Sequence, residues 1–360
     1  MHIAIDLGGK KSQVCIRGND GEILKESKVA TRSVVDVLRG LEPSRVVMES
    51  CSEAFAIARQ VQTLGHTPVV VPATLAPALG VGARGIKTDQ RDGRNLSEAS
   101  VRMKTLPSVH VPSLYAQQLK QESTSRDLLV KTRTQTVNHI KGWFRVQLKE
   151  RPSGGPEALP KRVREALKNK VPEHLESVLK ILDVLNQEIS KADKRLVGLA
   201  KQDDVCQRLQ TIPGVGPVTA VRFRGAVDDV NRFESANAIE SYFGLTPGEN
   251  SSSERVSKTR ITKAGASEVR RLLCQCAHVA MSNCRNEPMS QWGLEIARKK
   301  NKPIAVTALA RKICGIMYAL WRNKTTYNPT RSAQPRTQPH KEEVAAIKGK
   351  IWTEEENRAH

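Results

Sequence analysis

Four carboxylates near the amino terminus have the spacing of metal ligands. Asp6 ends the apolar run Ile3-Ala4-Ile5, and Glu49 ends Val46-Val47-Met48. Asp89 and Asp92 stand three residues apart in Lys87-Thr88-Asp89-Gln90-Arg91-Asp92-Gly93-Arg94. If the two runs are parallel neighbouring strands, Asp6 and Glu49 lie at equivalent ends, where like charges repel unless a cation stands between them. A step of three places Asp89 and Asp92 on one face of a helix, and a helix packed beside the strand ends would complete an all-oxygen set. Such a set suits Mg2+ or Mn2+, and paired ions stabilise the attacking and leaving oxygens of a phosphodiester substitution. Taken singly, each acid has a plainer use: a strand end, a helix cap, or an ion pair with Lys87, Arg91 or Arg94.

A second reactive stretch lies far along the chain. Ser251-Ser252-Ser253 is followed by Arg255, Lys258, Arg260 and Lys263. A hydroxyl there could attack a phosphate while the cations neutralise developing charge. The same composition also describes a basic polar loop that binds backbone phosphates. Upstream, Thr211-Ile212-Pro213-Gly214-Val215-Gly216-Pro217 has the form of a helix-hairpin-helix turn, in which Gly214 and Gly216 let backbone amides approach a phosphate at a helix start. Cys274, Cys276 and His278 could be mistaken for ligands, but they lie in an apolar helical stretch where cysteine serves as a small buried hydrophobe.

The elements that must position these groups follow from periodicity. Residues 2–6, 13–17 and 23–29 read as antiparallel strands, the last two joined through Gly18-Asn19-Asp20-Gly21. Residues 33–39 and 53–64 read as helices, and 45–50 and 67–71 as strands; strands separated by helices pair in parallel. A hairpin first and crossovers after it is the order of a ribonuclease-H-like α/β domain, an order shared with actin-like ATPases. Residues 114–148 and 172–200 read as helices around Pro152-Ser153-Gly154-Gly155-Pro156. In the second, Leu175, Val178, Leu182, Leu185, Ile189, Ala192, Leu196 and Leu199 alternate steps of three and four, the seam of a coiled coil. That seam predicts an antiparallel arm or a dimerisation element, with one long helix against a core as the alternative. Residues 204–318 read as a second, mainly helical domain. The expected division is therefore 1–112 α/β, 113–202 helical arm, 203–322 serine-containing domain and 323–360 mobile tail.

Composition narrows the partners. A net charge of +21 over 360 residues favours a polyanion, and nucleic acid is the commonest. Seven cysteines without a CxxC pair fit neither a disulfide framework nor a zinc ribbon, and imply a reducing compartment. The opening Met1-His2-Ile3-Ala4-Ile5-Asp6 sets an acid where a signal peptide needs an apolar run, and no stretch reads as long enough to span a membrane. A cytoplasmic protein with no membrane partner is expected.

In order along the chain, Ala4-Ile5-Asp6, Val47-Met48-Glu49, Lys87-Thr88-Asp89 with Asp92, Ile212-Pro213-Gly214-Val215-Gly216, Phe243-Gly244-Leu245-Thr246-Pro247 and Ile261-Thr262-Lys263-Ala264-Gly265 resemble the DEDD insertion-sequence transposases related to the Piv invertase, the insertion-sequence one-ten family. The likeness runs from Met1 to about Tyr318 and leaves the tail uncovered. It implies a RuvC-like domain in which Asp6, Glu49, Asp89 and Asp92 hold Mg2+ or Mn2+, a coiled-coil arm, and a carboxy-terminal transposase domain with a serine nucleophile. Counted from Gly244-Leu245-Thr246-Pro247 the nucleophile is Ser252; counted back from Thr262 it can be Ser251, and Ser253 stands where the family has a glycine. The resemblance also implies a structured bridge RNA that reads target and donor DNA by base pairing. A homo-oligomer, dimer or tetramer, at the prokaryotic nucleoid is the expected assembly.

Three rivals use the same residues differently. A hydrolytic nuclease or junction resolvase would keep the acids and replace the serine by water. An actin-like ATPase would use Asp6-Leu7-Gly8-Gly9 as a phosphate loop. A non-catalytic RNA-binding protein would need none of the acids.

Overall fold

The computed structural model describes residues 1–81, 88–252 and 255–330, with residues 250–252 and 255–258 described as backbone. The chain forms two compact units, Met1–Ser113 and the part from Leu114 onward.

The first unit is a mixed α/β sheet domain. Strands β1 (His2–Asp6), β2 (Lys11–Arg17), β3 (Ile23–Ala30), β4 (Arg45–Glu49) and β5 (Thr67–Val71) lie in the order β3-β2-β1-β4-β5. The first three pair antiparallel, and β1, β4 and β5 pair in parallel, as the hairpin-first pattern predicts. Each face of the sheet has its own core, because successive side chains of a strand point to opposite sides. Ile3, Ile5, Val46 and Met48 pack on one side with helix α1 (Ala54–Thr63) and the 3-10 helix Thr31–Leu38, which stands where the sequence predicts a helix over 33–39. Ala4, Val47 and Val71 pack on the other side with Leu96 and Ala99 of helix α2 (Asp89–Arg102).

The second unit is mostly helical. Its first long helices, α3 (Leu114–Val146) and α5 (Glu173–Gln202), lie antiparallel: Glu122 meets Arg195, Arg126 meets Asp193 and Arg133 reaches Asn186. Six of the eight seam residues of α5 are buried, and Val178 and Leu199 are half-buried. At one end the seam packs against Val137, Ile140 and Phe144 of α3 and Leu159 and Val163 of the short helix α4 (Leu159–Ala166). The apolar stripe is thus filled within one chain.

Helices α6 (Asp204–Leu209), α7 (Pro217–Val227), α8 (Ala236–Tyr242), α9 (Ser267–Asn283), α10 (Pro288–Lys299) and α11 (Lys302–Asn323) share one core, in which Phe223, Phe243, Leu273, Leu309, Ile313 and Met317 are buried. Two sequence expectations need correction. Helix α11 is long and apolar enough by composition to cross a membrane, contrary to the reading that no stretch is; 61% of its apolar window is buried, as befits the central helix of a core. The serine segment is an antiparallel hairpin of β6 (Pro247–Ser252) and β7 (Arg255–Ile261), where the sequence reading saw a loop. Val256, Thr259 and Ile261 are β-branched and sit at strand-compatible positions, but the polar residues between them masked the pattern. Most of the tail expected to be mobile, 331–360, lies outside the described residues.

Candidate active site

The strand register fixes two of the predicted acids. Ile5 lies opposite Met48 in the parallel pair β1–β4, so Asp6 and Glu49 end the two strands one step further on. Asp6 stands two residues after Ala4 and Glu49 two after Val47, which puts both side chains on the α2 side of the sheet. Each is half-buried.

Helix α2 brings the other two to the same end. Thr88 caps it, accepting a hydrogen bond from the Arg91 amide at 3.3 Å. The helix runs antiparallel to β1: near its carboxyl end Ser100 Oγ is 2.8 Å from His2 Nδ1, and Arg45 donates to the Ser100 and Met103 carbonyls. At its amino end Gly93 faces Gln13, the strand partner of Asp6. Asp92, one turn before Leu96, is 2% exposed, whereas Asp89 is exposed and accepts a hydrogen bond from Lys28 of β3 at 2.7 Å. Asp6, Glu49 and Asp92 therefore belong to one end and one side of the sheet. Asp89 is turned toward a cleft of ≈ 530 Å3 that Gln13, Glu26, Lys28 and Thr88 also line. Among the described residues no three carboxylates, cysteines or histidines stand close enough to grip one ion. The donor set, all carboxylate oxygen, is that of a hard divalent cation. Lys87 lies outside the described residues.

Beside Asp89, Glu26 accepts two hydrogen bonds from Arg94, at 2.7 and 2.6 Å, and one from Gln90 at 3.0 Å. The Arg94 hydrogen bonds hold the Glu26 carboxyl below the usual glutamate range against the opposing effect of burial. These contacts tie the first turns of α2 to β3.

In the second unit, the hairpin register pairs Ser252 with Arg255 and Ser251 with Val256, so both candidate serines stand at the turn. Ser253 lies outside the described residues, and for Arg255 and Lys258 only the backbone is described. Arg260 and Lys263 are exposed. The two motifs that flank the serines are the two sides of the hairpin base. The Thr262 amide donates to Thr246 O at 3.0 Å and that of Lys263 to Gly244 O at 3.2 Å, while Arg270 donates to the carbonyls of Phe243 and Ala264 at 2.9 and 2.8 Å. A Cβ on Gly265, whose φ is +66°, would lie 2.0 Å from Tyr242 O. Only glycine closes this base.

Gly214 and Gly216 divide their work. Gly214, with φ +86°, passes so close to α9 that a Cβ would meet Cys276 O at 2.6 Å, which gives it a packing reason independent of any phosphate. Gly216 caps α7, and a Cβ there would meet nothing within 4 Å, so its surroundings have room for a ligand. Cys276 is buried 3.4 Å from Thr219 Oγ1, burial pushes its thiol up, and His278 is exposed. The three form no ligand set.

Two family models match the chain: a transposase model named for the DEDD acids and IS110 over residues 3–146, and the "Transposase IS116/IS110/IS902 family" model over residues 206–292. The chain belongs to the IS110/IS116/IS902 family of transposases. The transposase is 27% identical to "Transposase for insertion sequence element IS1111A" of Coxiella burnetii, with 90% of each chain covered. It is 26% identical to "Probable family 20 transposase" of Pseudomonas aeruginosa, covering 91% of this chain and 98% of the relative. It is also 25% identical to "Transposase for insertion sequence element IS1328" of Yersinia enterocolitica, over the same shares. In the transposase the first match takes in β1 through α3, and with them all four acids; the second takes in the Gly214 turn, both sides of the hairpin base and Trp292. Gln13, Glu26 and Lys28 beside the acids, and Trp292 and Arg311 beside the hairpin base, belong to no motif in the sequence. Their places depend on register and tertiary packing, which no local pattern announces.

Proposed function

We propose that this transposase cuts and rejoins DNA through a serine at the hairpin turn, Ser252 or Ser251, with the chemistry assisted by Mg2+ or Mn2+ held by Asp6, Glu49, Asp89 and Asp92. What supports this reading is that Asp6, Glu49 and Asp92 belong to one end and one side of a β3-β2-β1-β4-β5 sheet. That strand order also supports the RuvC-like identity of the first unit. When bound, the cations would activate the attacking oxygen and stabilise the leaving one. The serine Oγ forms a bond to phosphorus as the phosphorus–sugar oxygen bond breaks; the serine proton passes to the leaving oxygen, which becomes a sugar hydroxyl. In the second step a hydroxyl of another strand displaces the serine and returns a proton to Oγ. No bond energy is lost, so no nucleotide triphosphate is needed. The exposed cations Arg260 and Lys263, with Arg255, Lys258 and the open amide end at Gly216, are assigned to phosphate binding.

The sequence choice is assigned to a structured guide RNA that pairs with target and donor DNA, in line with the family resemblance and with the net charge of +21. The assembly is read as a homo-oligomer acting at the nucleoid, with α3 and α5 as a coiled-coil arm.

The test is a trapped intermediate. With guide RNA, cognate DNA and Mg2+, the wild type is expected to give a protein–DNA adduct that survives denaturation, and Ser252→Ala to lower its yield by about a thousand-fold or more. Asp6→Ala and Asp92→Ala are expected to abolish the adduct while RNA binding persists. Strand cleavage without an adduct would establish the rival hydrolytic nuclease.

A further inference from the structure

Lys28, Gln13 and Asp6 form one row across the sheet of the first unit. The strand register sets Asp6 of β1 opposite Gln13 of β2, and Gln13 opposite Lys28 of β3. Residues directly opposite one another in antiparallel strands share a face, so Lys28 stands on the α2 side with Asp6, on a strand two spacings or about 10 Å away. The two carboxylates of α2 on that side have different surroundings. Asp92 is buried against the sheet, whereas Asp89, one turn earlier, accepts a hydrogen bond from Lys28 Nζ at 2.7 Å, with side chains 58% and 51% exposed. A lysine ammonium is thus the counter-charge on the fourth acid.

Electrostatics gives this pairing a use. Asp6, Glu49 and Asp92 already place like charge at one end and one side of the sheet. A fourth carboxylate turned toward them raises the repulsion unless a divalent ion is there to offset it. Drawn along β3 to Lys28, the Asp89 charge is balanced at a distance from the other three. The pair is easily given up, because an ion pair between exposed groups is weak. Nor does the exchange require α2 to move. Asp89 and Asp92 are one turn apart, with Cβ atoms about 5–6 Å from each other, and Glu26 holds that turn through Gln90 and Arg94. A rotamer change of one exposed side chain is enough. We infer that Lys28 and the divalent cation compete for Asp89, which makes Lys28 a positioning residue that keeps the fourth acid outside the cation's ligand set until the ion displaces it. This rests on the proposed holding of Mg2+ or Mn2+ by the four acids.

The experiment is titration of the full-length chain with Mn2+ alone, without RNA or DNA, followed by the loss of the free-ion electron paramagnetic resonance signal. Both members of the pair are exposed, so their variants are expected to fold as the wild type does. Lys28→Met is expected to tighten Mn2+ binding by about two- to five-fold, the worth of one exposed ion pair, and Lys28→Arg to leave it as in the wild type. Asp89→Asn is expected to weaken binding, and Lys28→Met added to Asp89→Asn to change nothing more. Unchanged or weaker binding in Lys28→Met would overturn the inference. So would the same tightening in the Asp89→Asn background, which would mean that the lysine repels the ion directly and not by way of Asp89. Either result leaves the proposed cation site standing. Mn2+ binding indifferent to both Asp6→Asn and Asp92→Asn would instead remove that site, and the competition for Asp89 with it.

Discussion

The hydrogen bond from Lys28 to Asp89 joins two exposed groups and contributes little to stability by itself. What it sets is direction: with Lys28 supplying the counter-charge, Asp89 turns along β3, and Asp92, one turn on, is the member of the pair buried against the sheet. Glu26 reinforces this through Arg94 and Gln90. Because its carboxyl titrates below the ordinary 4.5 in the folded chain, the folded state binds the proton less readily than the unfolded one. Its contribution is therefore full above that ordinary value and is lost as pH falls through the depressed one. We expect Glu26→Gln to lower the melting temperature at about pH 7 and the difference to vanish once pH has fallen below the depressed value, where wild-type Glu26 is protonated in both states. A melting difference that persists at the acid end would show that packing, not charge, holds α2 to β3. At this scale the places of Asp6, Glu49 and Asp92 were legible because strand ends and helix spacing are written in sequence order, whereas the outward turn of Asp89 was not. Lys28 and Glu26 were not, since they meet α2 across separations of 61 and 68 residues set by tertiary packing.

At the scale of elements, the helices and the five-stranded sheet were legible wherever apolar periodicity was strong, as in β1, β4 and the seam of α5. The hairpin was not. Its polar, serine-rich strands hold too few apolar residues to leave a pattern in the sequence, and its base is where Gly265 and Arg270 lock the two flanking motifs together. A second junction without a sequence signal joins α3 to α7 and α9. Asp127 and Arg222 are both buried, 3.7 Å apart; Arg222 also donates to Ser123 and Thr124 at 2.9 and 2.7 Å, and Arg271 donates to Asp127 at 3.1 Å. Removing the carboxylate leaves a buried guanidinium without its counter-charge. We expect Asp127→Ala to destabilise by about 3–5 kcal/mol in urea unfolding. A change below about 1 kcal/mol would mean that the serine and threonine hydroxyls alone suffice for Arg222.

For the whole molecule the governing quantity is the surplus of 58 lysines and arginines over 37 acids, which attracts any nucleic acid and cannot by itself tell one from another. Salt separates the contributions. Each phosphate neutralised on a single strand adds about −0.7 to the slope of log affinity against log salt, and on a duplex about −0.9. In the phosphate-binding role proposed for it, Lys263 makes one such contact, which Lys263→Ala removes. We expect Lys263→Ala to flatten the single-strand slope by about 0.7 and the duplex slope by about 0.9. Anisotropy titrations between about 50 and 200 mM salt span enough of the range to resolve the change. If Lys263→Ala left both slopes as in the wild type, its exposed ammonium would lie off the path of the phosphates and the hairpin base would not carry the nucleic-acid backbone.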